Sequence, residues 1–224
     1  MLLRRMGVNR PPIEVTADPA FVLQAEKRAD MEEWFQTVGV PIDRPLLGVA
    51  LRPWKGNAPS AIDYAQMVVQ IVQKTGVHPV FVPMQCPSDL LLAEQVAKSV
   101  SCELTLLHEL LAPRMALGVI GAMSGLVAMR LHALIFGAMG GVPLVALGYD
   151  PKVASLMDDL GQGERCVSLE NFAPSRVAEQ MVEALSEGGV LRERLLMRAA
   201  ELARRARENV ERAMAVAERA YRRS

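Results

Sequence analysis

One stretch of this sequence leaves little choice of topology. Leu126-Val127-Ala128-Met129 is a short apolar run, Leu131 to Met139 has helical spacing, and Val142 to Leu147 is a second apolar run beyond Gly140-Gly141. The pattern is strand, helix, strand. A single helix of about ten residues between two strands makes them parallel, because a crossover returns the chain to the same end of the sheet. Arg130 and His132 then fall where the first strand gives way to the helix. In open parallel sheets, ligands gather beyond the carboxyl ends of the strands, where helix amino termini aim free N–H groups. Arg130 offers a planar fork of donors suited to phosphate or carboxylate, and His132 can carry or accept a proton near neutral pH. Taken alone, Arg130 also suits a structural salt bridge, and His132 a helix cap or a packing contact.

The rhythm repeats along the chain. Leu46 to Leu51 reads as a strand buried on both faces and ends at Arg52, a second arginine at a strand carboxyl end. A loop, Pro53 to Pro59, leads to Ser60, which is placed to cap a helix Ala61 to Lys74 with Asp63 at the capping-box position. Further strands are expected over Val77 to Met84, Glu103 to Leu107 and Arg165 to Leu169, with helices Pro87 to Ser99, His108 to Met123, Pro151 to Leu160 and Pro174 to Glu187 between and after them. The expected fold is α/β, a Rossmann-like parallel sheet of about five or six strands between helices. Ahead of it lie the end of a helix (Met1 to Met6), a lone strand Ile13 to Thr16, a turn at Ala17-Asp18-Pro19 and a helix Ala20 to Val38. Asp18 suits turn capping, or else faces the cleft. After Gly188-Gly189, Val190 to Arg223 reads as one long amphipathic helix with a seam of Leu196, Ala199, Ala203, Ala206, Val210, Ala213, Ala217 and Ala220. The expected division is 1–45, 46–188 and 189–224. His108 at a strand end is a lesser site candidate, and His78 at a strand start faces the wrong end.

Composition bounds the rest. The chain has 224 residues, 51% apolar and 22% charged, which is globular rather than disordered. Twenty-five basic side chains balance 25 acidic ones, so nothing in the overall charge calls for nucleic acid. Cys86, Cys102 and Cys166 are odd in number and lack metal-ligand spacing, which fits a reducing cytoplasm and neither a disulfide framework nor a zinc site. No run suits a signal peptide or a membrane span. The arginine-rich last helix suits solvent, with peripheral contact to anionic lipid as the alternative.

Met129 to Val153, MRLHALIFGAMGGVPLVALGYDPKV, resembles the signature segment of the polysaccharide pyruvyl transferases, most of all the CsaB-type enzymes that pyruvylate cell-wall polymers. VTADPAF (Val15 to Phe21), GVALRPW (Gly48 to Trp54) and VFVPMQCPSD (Val80 to Asp89) agree with it. Ser124, Ala128 and Gly148 depart from the family pattern, which has an acid, a glycine and a serine there. The resemblance implies the C-terminal domain of a GT-B-type architecture with a long last helix. It also implies phosphoenolpyruvate as donor, a sugar or lipid-linked saccharide as acceptor, and no metal or cofactor. His132 would be the general acid, Arg130 and Arg52 the cations that hold the donor, and Lys152 a further donor contact. Family members begin with a Gly-rich domain that has no counterpart here, so the chain resembles their carboxyl-terminal half to two thirds, with a separate N-terminal half as an expected partner. Two alternatives stand beside this reading. One is a nucleotide-sugar glycosyltransferase with Asp150 or Glu170 on the ribose; the other is a catalytically incomplete half that binds donor or a partner subunit.

Overall fold

Apolar runs without polar alternation become strands covered on both faces. The computed structural model of the protein describes residues 2–10, 13–56 and 58–221. Its six strands are β1 (Leu46–Ala50), β2 (His78–Phe81), β3 (Thr105–Leu106), β4 (Gly125–Ala128), β5 (Leu144–Gly148) and β6 (Cys166–Ser168). They form one parallel sheet in the order β3-β2-β1-β4-β5-β6. The helices are α1 (Leu2–Arg5), α2 (Arg28–Thr37), α3 (Ala61–Thr75), α4 (Ser88–Ala97), α5 (Pro113–Gly121), α6 (Leu131–Gly140), α7 (Pro151–Asp159) and α8 (Pro174–Tyr221).

Side chains alternate across each strand and so feed two cores. Leu46, Ala50, Leu126, Ala128, Leu144 and Ala146 pack with α5, α6 and α7. Leu47, Val49, Val127, Val145 and Leu147 pack with α3 and α4. The chain builds outward from β1 through β2 to β3, then returns to lay β4 on the other side of β1. This reversal is the switch point at which open α/β sheets hold ligands. Helix α3 begins as its sequence suggests: the Ser60 hydroxyl accepts from the Asp63 amide at 3.2 Å while the Asp63 carboxylate accepts from the Ser60 amide at 2.8 Å.

The amino-terminal region departs from expectation. Ile13 to Thr16 forms no strand; side chains of α8 hold its end instead, with Arg205 donating to the Thr16 carbonyl at 3.3 Å and Asn209 to that of Ala17 at 2.9 Å. Arg212 also pairs with Glu14. The helix expected over Ala20 to Val38 is a short 3-10 turn, Pro19–Val22, and then α2. Between them the chain is drawn onto α5, where the Glu26 amide donates to the Arg114 carbonyl at 3.2 Å and the two side chains pair at 3.1 Å. Of the regions read from sequence, Met1, Asn57 and Arg222 to Ser224 lie outside the described residues, as does the side chain of Ala220.

Helix α8 bends at Gly188, whose φ of 48° and ψ of −119° lie outside helical space. Ahead of the bend, Val177, Ala178 and Met181 join the core of α3 and Ala184 already joins that of α6; beyond it, Leu191, Leu195, Ala199, Leu202 and Ala206 follow Ala184. The expected seam is therefore split. Ala199 and Ala206 are buried and Ala203 is partly so, whereas Leu196, Val210, Ala213 and Ala217 are exposed.

Two outcomes follow for stability. A Cβ on Gly140 would come within 2.6 Å of the Gly121 backbone where α6 crosses α5, so Gly140→Ala is expected to cost about 2 kcal/mol in urea unfolding. His78 is buried at the start of β2; its Nε2 meets the Thr105 hydroxyl at 2.8 Å and its Nδ1 has no partner among the described residues. Burial, and then the nearby Arg44, lower its pKa, against a smaller opposite pull from Glu103. The unfolded chain then takes up this proton first. The neutral ring's contribution is whole above the ordinary histidine pKa of about 6.5 and is lost as pH falls from there through the lowered folded value. Between about pH 7 and pH 5, wild type should lose more stability than His78→Gln, measured by denaturant midpoints.

Candidate functional site

Strands β1 and β4 lie side by side with Ala50 opposite Ala128. Arg52 and Arg130 each follow two residues later, so two cations leave adjacent carboxyl ends at the switch point. Each guanidinium then extends across a neighbouring strand. Arg130, the residue ahead of the first turn of α6, reaches over β1 to the loop and helix after β2, where its Nε donates to Asp89 Oδ2 at 2.8 Å and its Nη2 donates to Asp89 Oδ1 and to Gln85 at 2.9 Å. Asp89 is 1% exposed and also accepts from the Met84 amide at 3.2 Å. No described group pairs with Nη1 of Arg130. Arg52 reaches the opposite way, over β4 to the end of β5, where its Nη1 donates to the Tyr149 hydroxyl at 3.0 Å. Its guanidinium also lies 4.9 Å from the Tyr149 ring centre and 5.5 Å from that of Trp54, which flank it as cation–π partners.

His132 stands in the first turn of α6 with its side chain 59% exposed. Its Nε2 is 4.0 Å from Asp18 Oδ2, and its ring centre is 6.4 Å from that of Phe136. The other oxygen of Asp18 accepts from the Ala20 amide at 2.9 Å and caps the 3-10 turn. Lys152 sits beside Arg52's aromatic partners, 5.9 Å from the Tyr149 ring centre and 3.8 Å from Asp150. Among the described residues no hydrogen bond or ion pair links His132 to either arginine. His108 is exposed beyond the edge strand β3, away from the switch point.

Sequence reasoning did not find the partners that aim the arginines. Asp89 was read as part of a helix start, and it is 41 residues from Arg130 in sequence. Tyr149 directly follows β5, and nothing in its local sequence marks it as a guanidinium platform. Two clefts flank the sheet ends. One of about 680 Å³ lies at the amino ends, against Met31, Phe35, Leu117 and Leu196. The other, about 800 Å³, opens at the carboxyl ends of β5 and β6 beside Tyr149. Among the described residues no cluster of three His, Cys, Asp or Glu side chains could hold a metal ion, and no helix is long and apolar enough to cross a membrane.

The sequence model of the polysaccharide pyruvyl transferases matches residues 1–151, which contain both arginines and His132. The chain belongs to the polysaccharide pyruvyl transferase family. No curated protein matches it. Among solved structures it is similar to a family 9 glycosyl transferase from Veillonella parvula, with 16% identity, a TM-score of 0.53, and 83% of this chain and 58% of that one covered. It is also similar to the ADP-heptose heptosyltransferase II of E. coli, at 16%, 0.58, 81% and 56%, and to a glycosyltransferase from Rickettsia africae, at 11%, 0.60, 89% and 55%. These likenesses show the fold, a GT-B-type α/β domain with a long last helix. The chain spans a little over half the length of each of these three structures.

The Arg130–Asp89 pair generates a further expectation. Asp89→Ala would leave a largely buried guanidinium without its counter-ion and should cost about 3 kcal/mol, whereas replacing both partners with leucine should cost less than that single change. Urea denaturation of the two variants measures the difference.

Proposed function

We propose that the protein transfers the pyruvyl group of phosphoenolpyruvate to two hydroxyls of a sugar in a cell-wall or extracellular polysaccharide precursor, forming a cyclic ketal and releasing phosphate. The observation that carries this reading is the pair of arginines leaving adjacent strands at the switch point, beside the helix terminus that bears His132. Phosphoenolpyruvate has a carboxylate and a phosphate to be held, and a methylene carbon to be protonated. Arg130, through its unclaimed Nη1, and Arg52, on leaving the Tyr149 hydroxyl, hold the two anions, with Lys152 as a further contact. His132 gives its proton to the methylene carbon, which becomes a methyl group and leaves an oxocarbenium centre at C2. The first sugar hydroxyl adds there and returns a proton to the imidazole. The C2–O bond to phosphate then breaks, phosphate leaves with the bonding pair, and the second hydroxyl closes the ketal as its proton passes to the departing phosphate. An N-terminal half-domain supplies the remainder of the cleft, and the three free cysteines suit the reducing cytoplasm as the place of reaction.

A nucleotide-sugar glycosyltransferase is the second reading, favoured by the fold likeness and by Asp150 and Glu170 at the ends of β5 and β6. A folded half that binds donor alone is the third. Phosphate release from phosphoenolpyruvate with sugar-diol acceptors, with and without a supplied N-terminal half, separates them, alongside binding of phosphoenolpyruvate against a nucleotide panel. His132→Gln is expected to lower kcat by about a hundredfold or more with donor affinity little changed. Arg130→Ala should weaken donor binding and rate together. A glutamine variant with wild-type turnover removes His132 from the mechanism, and binding of nucleotides in place of phosphoenolpyruvate removes the donor.

A further inference from the structure

The cleft at the ends of β5 and β6 differs in chemistry from the arginine pair beside it. Its lining includes Trp54, Tyr149, Asp150, Cys166, Ser168 and Glu170, and it contains two carboxylates with no lysine, arginine or histidine. Trp54 is 40% exposed at this mouth, 4.6 Å from Tyr149 between ring centres, and its indole N–H has no acceptor among the described residues. Glu170 is held by backbone, since its amide donates to the Ser168 hydroxyl at 3.3 Å, while its carboxylate has no partner among the described residues. The amino terminus of α7 is already capped: Asp150 accepts from the Lys152 amide at 2.9 Å. Burial, and then Asp158, push the Cys166 thiol up, so the sulfur is neutral.

An anion gains nothing in such a place. Phosphate inside it would meet two carboxylates and a capped helix end, and no cationic side chain among the described residues lines it. A neutral pyranose gains on every side. Its C–H face lies on an aromatic ring, its vicinal hydroxyls donate to carboxylates, and the indole N–H donates to a ring or hydroxyl oxygen. We infer that this cleft seats an uncharged pyranose of the acceptor saccharide beside the one that reacts, across Tyr149 and Trp54 from the anionic donor. The assignment rests on the pyruvyl-transfer reading for the word acceptor, and on the cleft's own chemistry for the sugar.

Saturation-transfer NMR of the 224-residue chain with the methyl pyranosides of glucose, galactose and mannose tests it without donor or turnover. At least one pyranoside should receive saturation, with its C–H face strongest, and the signal should drop at least fivefold in both Trp54→Ala and Glu170→Ala. Inorganic phosphate should not compete, and neither should uridine diphosphate. No transfer to any of the three sugars, transfer indifferent to both substitutions, or displacement by uridine diphosphate would each overturn the inference, the last in favour of a nucleotide site. Circular dichroism establishes that the two surface variants are folded. Sugar binding of the expected kind without phosphate release from phosphoenolpyruvate would leave the cleft assigned and the pyruvyl-transfer reading refuted.

Discussion

The site depends on one buried carboxylate. Asp89 is almost wholly withdrawn from water, and a lone anion there would be costly; the guanidinium of Arg130 answers it along one edge, with the Met84 amide assisting. Because that edge is a rigid two-point contact, the opposite nitrogen of Arg130 has little freedom in where it points. A lysine in the same place would meet the charge but not fix the direction. Asp89 thus converts a mobile surface cation into an oriented donor at the rim of the strand ends.

The orientation would be idle in another topology. Arg52 and Arg130 are 78 positions apart and become neighbours because the chain, having laid β1, β2 and β3 in one direction, comes back to place β4 against β1. The same reversal sends α3 and α4 to one face and α5, α6 and α7 to the other, which leaves the strand ends between them open to a ligand. Aromatic rings complete the arrangement, since Tyr149 and Trp54 hold Arg52 by its face where Asp89 holds Arg130 by its edge.

Local pattern carried much of this. The apolar runs from Leu46, Val77, Leu126 and Val142 each mark the start of a strand to within a residue or two, the Ser60–Asp63 box starts its helix, and Gly188 breaks the last one. Each is a matter of a few consecutive residues, where periodicity and capping chemistry act. Features set by distant parts of the chain were not legible in that way. Ile13 to Thr16 alternates like a strand, yet its neighbours' carbonyls are claimed by side chains from about 190 positions further on. Asp89 gives no local sign that it will meet Arg130. The last helix reads as one seam, but the body of the protein covers it only as far as Ala206, and Val210, Met214 and Val216 project beyond. Pattern specifies which face of an element is apolar; what covers that face is a property of the assembled fold.

The length of α8 has a thermodynamic meaning beyond shape. It places Val177, Ala178 and Met181 in one hydrophobic layer and Ala184, Leu191, Leu195, Ala199, Leu202 and Ala206 in the other. Two layers separated by a sheet could in principle melt one at a time. Here neither can be exposed without dislodging an element that the other also requires, so the helix acts as a staple that couples the layers into one cooperative unit.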